Sequence, residues 1–232
     1  LASCKKVELE TTPENKFMPS AKDIKPYLSE ATLVAVCSPL NPTGTMFTKE
    51  GLEQICDLIL EENVKREEGR KPLYLMYDQI YWGLTMSGNK HYDPVSLRPE
   101  MRNYTIYIDG ISKAFASTGV RVGWSFGPQK VIDKMRALLS HVGAWAPKAE
   151  QVATAAYLEK ENEVDEYLSW VNKSVSERLA GFYNGFQTLK NEGFAVDAIA
   201  PQGAMYLTVQ LALHGYKTAE GKEFISTLEI VC

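Results

Sequence analysis

The chain has 232 residues, 45% of them hydrophobic and 23% charged, with a formal net charge of −4. This is ordinary for a globular protein with a real core, and the acidic balance argues against a nucleic-acid or anionic-membrane surface. Cys4, Cys37, Cys56 and Cys232 form no Cys-x-x-Cys and have no nearby histidine to complete a zinc set, so the expectation is a reducing cytoplasmic setting without a metal site, and no apolar run approaches the ~20 residues that span a bilayer.

In chain order, residues 7–10 alternate like a short strand. Residues 32–37 are continuously apolar, as in a strand covered on both faces, and end in the turn-rich Ser38-Pro39-Leu40-Asn41-Pro42-Thr43-Gly44. Thr48 suits the N-cap of a helix with Glu50 in its first turn and Leu52, Ile55 and Ile59 on one face. The charged stretch from Glu61 to Lys71 closes that helix and reads as a solvated face. Residues 73–77 predict a second buried strand ending at Asp78, and 104–108 a third ending just before Lys113. Tyr77 and Tyr107 read as strand core. Residues 120–126 alternate as a fourth strand, closed by Gly127-Pro128.

Residues 129–140 predict a helix, and from about Ala149 to Leu189 nearly everything is helical. Tyr167, Val171, Val175, Leu179 and Phe182 fall on one stripe of it. Gly193 and Pro201-Gln202-Gly203 precede a last strand over 204–211. Strand and helix signals that alternate this way predict an α/β fold with a largely parallel sheet. The long helix leading into a short α+β tail predicts a second, smaller domain from near residue 160. The chain opens at Leu1 and stops inside the apolar run Glu229-Ile230-Val231-Cys232, which predicts an internal piece of a longer polypeptide. His91, His141 and His214 are scattered and read as structural or exposed.

Open α/β sheets bind ligands outside the carboxyl ends of their strands. Three predicted strands end there in polar signatures: Asn41-Pro42-Thr43-Gly44, Asp78-Gln79-Ile80-Tyr81 and Ser112-Lys113, with Arg121 eight residues past the lysine. Singly these read as a turn, a helix cap and a surface ion pair. Their order and placement carry more. A lysine closing a buried strand is costly unless its amine is used, and a desolvated amine joins an aldehyde as a Schiff base. Pyridoxal 5′-phosphate offers that aldehyde, and a phosphate for the planar fork of an arginine.

With these motifs in this order the chain resembles the fold type I pyridoxal-phosphate enzymes, and within them the class I aminotransferases similar to prokaryotic aspartate aminotransferase. The resemblance covers essentially all 232 residues. It implies part of a large cofactor-binding domain over residues 1–160, with a mostly parallel central sheet, and an interdomain helix with part of a small α+β domain over 161–232. It implies pyridoxal 5′-phosphate held by Asn41, Asp78, Tyr81, Ser112, Lys113 and Arg121, with Lys113, Asp78 and Tyr81 catalytic. Lys113 would carry the cofactor and move the substrate proton. Asp78 would keep the ring nitrogen protonated, Tyr81 and Asn41 would bond the phenolic oxygen, and Arg121 and Ser112 would hold the phosphate. Implied too are an L-amino acid and a 2-oxo acid as substrates, a ping-pong transamination, and a homodimer in which residues 145–147 approach a partner's site.

The chain departs from the pattern in places. Gly110 stands where the family often has a phosphate-binding serine, Ser117 replaces an apolar residue, and Gln79 follows Asp78 where acidic residues are common. The Asn41–Pro42 bond is a candidate for cis. The family's phosphate-cradling helix and ring-stacking aromatic would precede this chain, and its substrate-carboxylate arginine would follow it; Arg98, Arg102 and Arg136 do not fit that last role by position. The 232 residues alone are therefore expected to bind the cofactor poorly. The Pro201–Tyr206 turn matches the family's small-domain Pro-x-Gly-x-x-Tyr and borders the substrate side, with Gly203 permitting a positive φ. Two alternatives remain at this level: a β-eliminating lyase on the same fold, and a non-catalytic regulatory domain fused to a DNA-binding segment.

Overall fold

Three strands rich in apolar and aromatic residues, β1 (Leu33–Cys37), β2 (Tyr74–Asp78) and β3 (Thr105–Gly110), run parallel and side by side. β4 (Gly123–Phe126) pairs antiparallel with β3 and completes a four-stranded sheet. The protein was analysed as a computed structural model, which describes residues 4–86, 88–217, 220, 221 and 223. The register keeps the carboxyl ends level, with Cys37 opposite Asp78 and Asp78 opposite Ile108. Gly110 faces Gly123, so the entry to β4 lies at that same edge.

The helices are α1 (Ala21–Ile24), α2 (Lys49–Lys65), α3 (Pro94–Leu97), α4 (Gln129–Val142), α5 (Lys148–Leu158) and α6 (Glu161–Asn191). Thr48 caps α2 as its type predicts, its Oγ1 accepting from Gly51 N at 3.0 Å. Leu52, Ile55, Cys56 and Ile59 of α2 are fully buried in one cluster with Leu73, Leu75, Tyr77 and Met101. Each such side chain contributes about 1.5–3 kcal/mol by leaving water. Tyr77 and Tyr107 are core residues whose phenols find partners, Tyr77 donating to Tyr92 O at 2.7 Å and Tyr107 to Asp93 Oδ1 at 2.8 Å. A second cluster packs Ile111, Ala114, Phe115 and Val122 against Tyr157, Leu158, Val164 and Leu168 of α5 and α6.

Several expectations are corrected. Residues 7–10 form no strand. β1 is covered less than its apolar run predicts, with Leu33 47% exposed, because among the described residues it pairs on one side only. The fourth strand starts late, since Thr118–Val120 coils into a 3-10 turn. The long helical stretch breaks at Glu159 and Lys160, and Phe182, at the end of its stripe, is exposed. Beyond α6, Ala204 and Met205 form a turn; only β6 (Val209–Leu211) is strand, and it pairs antiparallel with an unforeseen β5 (Val196–Ala198). The expected continuation over residues 224–232 lies outside the described residues.

The charged stretch after α2 is not all solvated. Arg66 has a side chain 4% exposed and donates to Glu62 Oε1, Leu28 O, Ala31 O and Lys71 O at 2.7–3.1 Å. A buried guanidinium is tolerated when its donors are taken, and four acceptors take them here. Among the described residues no helix is long and apolar enough to cross a membrane.

Candidate active site

The loop leaving β1 turns sharply through two cis peptide bonds, Ser38–Pro39 and Asn41–Pro42. The second was expected and the first was not. Leu40 N donates to Thr45 O at 2.8 Å and Gly44 N to Leu40 O at 2.9 Å, which closes the loop on itself. Asn41 thereby reaches the residue that follows β2 by three: its Nδ2 lies 3.4 Å from the Tyr81 hydroxyl. Tyr81 is 1% exposed, and burial pushes its phenol well above the ordinary value, so it holds its proton. Lys113 Nζ sits 5.8 Å from the centroid of the same ring, within cation–π range. Three chain segments distant in sequence thus converge on one phenol.

Asp78 ends β2. Its Oδ1 accepts from Ile80 N at 3.1 Å, while Oδ2 accepts no hydrogen bond among the described residues and stays available to a ligand donor. Cys37, opposite it in the register, donates to Pro39 O at 3.2 Å. Desolvation, with the Asp78 charge adding, pushes that thiol up to about 11, so it is neutral and no nucleophile.

Lys113 lies in a tight turn after β3. Ala116 N donates to Lys113 O at 3.0 Å and Ser117 N to Ile111 O at 3.3 Å. The unusual Ser117 is satisfied locally, its Oγ donating to Phe115 O at 2.8 Å. Ile111 N donates to Val122 O at 3.3 Å, which places Ser112 and Arg121 on adjoining segments. They are not joined directly: Ser112 is half-buried, and the exposed Arg121 donates to Thr118 O at 2.8 Å from a left-handed backbone (φ +62°). Among the six expected residues, the structure brings Asn41, Tyr81 and Lys113 into contact and sets Asp78, Ser112 and Arg121 along the same edge.

Two departures acquire a physical reason. A Cβ on Gly110 would lie 2.9 Å from both Gly123 Cα and Val122 O, so the close approach of β3 and β4 leaves no space for a serine there. Gln79 donates through Nε2 to the buried Asp109 carboxylate at 3.1 Å, so the amide after Asp78 pairs with an acid on the neighbouring strand. Burial, opposed by the Gln79 bond and assisted by the Asp78 charge, raises the Asp109 pKa.

Two further residues shape the site. The turn carrying Tyr206 docks on the loop after β1: Gln202 N and Gly203 N donate to Gly44 O at 2.8 and 3.0 Å, and Thr208 Oγ1 to Thr43 O at 3.0 Å. Gly203 is required by crowding rather than by φ, since its Cβ would meet Met46 Sδ at 2.7 Å and Pro39 Cβ at 2.8 Å; the left-handed residue is Ala204 (φ +58°). The Tyr206 hydroxyl hydrogen-bonds that of Tyr81. From α6, Asn172 Oδ1 accepts from Thr85 N at 3.0 Å and its Nδ2 donates to Gly83 O at 2.7 Å, clamping the chain after Tyr81. The Pro201–Tyr206 pattern pointed to the first; an asparagine inside a long helix, where its propensity is poor, was the only sign of the second.

Arg98 is tied to Asp57 and Glu53. His141 and His214 are exposed. His91 lines a cavity of about 600 Å³ with Gln79, Trp82, Asp93, Thr105 and Tyr107, and neither ring nitrogen has a hydrogen-bond partner among the described residues.

An amine, a phenol, a carboxamide and a carboxylate with a free oxygen, gathered at one sheet edge, suit a flat heterocycle bearing a ring nitrogen, a hydroxyl and an aldehyde. The family model described as aminotransferase class I and II matches residues 1–228. The aspartate aminotransferase of Bacillus sp. (strain YM-2) is 32% identical over 226 residues, covering 96% of this chain and 53% of the relative. That of Bacillus subtilis (strain 168) is 32% identical over 209 residues, covering 89% and 49%. Among solved structures, aspartate aminotransferase from Thermus thermophilus with maleate superposes with a TM-score of 0.76 at 28% identity, over 88% of this chain and 49% of that one. The chain spans about half the length of the curated relatives it matches.

Proposed function

The chain belongs to the class I and II aminotransferases, a pyridoxal-phosphate-dependent family, and from that premise we propose that the full-length protein transfers an amino group between an L-amino acid and a 2-oxo acid by a ping-pong route. The convergence of Asn41, Tyr81 and Lys113 on one point carries this reading. When bound, the cofactor's protonated ring supplies a sink for the electrons released at the substrate α-carbon.

The chain's own residues divide the remaining work. The Lys113 amine would hold the cofactor and would move the proton at the substrate α-carbon. Asp78 Oδ2 would accept from the ring nitrogen and keep its proton there. Tyr81 and Asn41 would donate to the phenolic oxygen. Ser112 and Arg121, whose guanidinium donates to Thr118 O, would hold the phosphate. The docked Gln202–Gly203 backbone closes the side of the site that faces β1.

The domain division proposed is residues 1–160 and 161–232, supported by the break between α5 and α6 and by the separate sheet of β5 and β6. A cytoplasmic homodimer is part of the same proposal. Exposed Leu138, Val142 and Trp145 support an interface, and the unpaired state of Cys4, Cys37 and Cys56 supports a reducing compartment.

A single-turnover assay of the full-length protein with amino acids tests the reading. Stoichiometric 2-oxo acid and aminated cofactor are expected, with Lys113→Ala slowing the step by roughly 10²–10⁴-fold or more. Release of ammonia with pyruvate would replace transamination by elimination.

A further inference from the structure

We propose that Tyr206 is a positioning residue for Tyr81: its hydroxyl donates to the Tyr81 oxygen and so directs the single Tyr81 proton toward the cofactor's phenolic oxygen. This rests on the reading of Tyr81 as a donor to the cofactor.

A phenol oxygen donates one hydrogen bond and accepts two. At Tyr81, Asn41 Nδ2 takes one acceptor position at 3.4 Å, and the Tyr206 hydroxyl lies against the same oxygen. Either hydroxyl can be the donor of that pair. Were Tyr81 the donor, its proton would be spent on Tyr206, and the electron-rich phenolic oxygen of the cofactor would lose this donor. With Tyr206 donating, both acceptor positions of Tyr81 are filled and its proton has one outlet. Tyr206 itself makes no other side-chain hydrogen bond among the described residues.

The geometry around the pair is held from both sides. The rings meet edge to face, with centroids 5.6 Å apart and planes at 73°. The chain before Tyr206 is anchored by Gln202 N and Gly203 N on Gly44 O, and Ala204 N donates to Leu84 O at 2.8 Å. The chain after Tyr81 is anchored by Asn172. Tyr81 is shielded from water, which would otherwise compete for its lone pairs. The titratable groups facing it are Tyr206, Cys37 and Lys113. Tyr206 thus couples the segment after α6, through one hydroxyl, to the electronics of the cofactor.

The test is a pH titration of the cofactor's visible absorption band in the full-length holoenzyme, a readout separate from turnover. Donors at the phenolic oxygen favour the unprotonated form of the nitrogen beside it, so a weaker donor raises the midpoint. Tyr206→Phe, which keeps the ring contact, is expected to raise it by about half a pH unit. Tyr81→Phe is expected to raise it further, and the double variant to match Tyr81→Phe alone. Tyr206→Leu, which removes ring and hydroxyl together, serves as a second variant and is expected to match Tyr206→Phe. An unmoved midpoint in Tyr206→Phe where Tyr81→Phe moves it overturns the inference, as does a shift that persists in full once the Tyr81 hydroxyl is gone. Persistence of the band in Lys113→Ala would instead overturn the functional reading beneath it.

Discussion

Lys113 and Tyr81 show how far single residues can be read. Lys113 was legible because an amine is expensive at the end of a buried strand unless used, and Tyr81 because it closes the Asp-x-x-Tyr signature that carries the family resemblance. Their contact was not, since 32 positions separate them and only the parallel pairing of β2 with β3 brings them to one edge. His91 is the opposite case, a half-buried ring that packs against Tyr77 and lines a cavity. Burial outweighs the Asp93 charge and lowers its pKa to about 4 from an ordinary 6.5. Between those values the unfolded chain binds the proton more tightly, so stability is complete above pH ~6.5 and declines as pH falls toward 4. The contribution at stake across that window is about 3 kcal/mol. Urea unfolding at pH 7 and pH 4.5 should show a smaller pH-dependent loss in His91→Phe than in the unaltered protein; equal losses would remove His91 from the account.

At the scale of elements, periodicity and end signals located β1 to β3, the capped α2 and the helical stretch of α5 and α6. They failed where a distant partner decides. Arg66 looked like one more surface charge because the carbonyls that bury it, Leu28 O and Ala31 O, lie more than thirty residues upstream. β5 was missed because a three-residue strand has no period of its own. Asn172 is the element-scale device with the clearest consequence, since one side chain joins α6 to the turn after Tyr81. Asn172→Ala leaves Gly83 O and Thr85 N without their partner and is expected to cost about 1–3 kcal/mol. Thermal melts would register the loss. Cofactor dissociation from the full-length protein is expected to quicken as well, because the turn that places Tyr81 loosens; a variant that melts earlier yet holds the cofactor as before would separate the clamp from the site.

At the scale of the whole molecule, the sheet ends in two strands, β1 and β4, that pair on one side only among the described residues, with Leu33 and Phe126 nearly half exposed, and α4 buries no side chain. These surfaces go with a chain that spans about half of its relatives. The 232-residue chain by itself is accordingly expected to lose pyridoxal phosphate on gel filtration, whereas the full-length protein retains a visible band. A band that persists on the shorter chain would show that Asn41, Asp78, Tyr81, Ser112, Lys113 and Arg121 suffice to hold the cofactor.

The sequence by itself determined the fold class and the order of the three polar signatures, because these depend on residue type and local spacing, and the resemblance those signatures carry implied the cofactor. Tertiary structure alone decided that Gly110 has no space for a side chain, that Gln79 answers Asp109, that Tyr206 meets Tyr81, and that Asn172 clamps the chain after Tyr81. Those outcomes depend on approaches of 2.5–3.5 Å between segments remote in the chain, and local patterns carry no record of them.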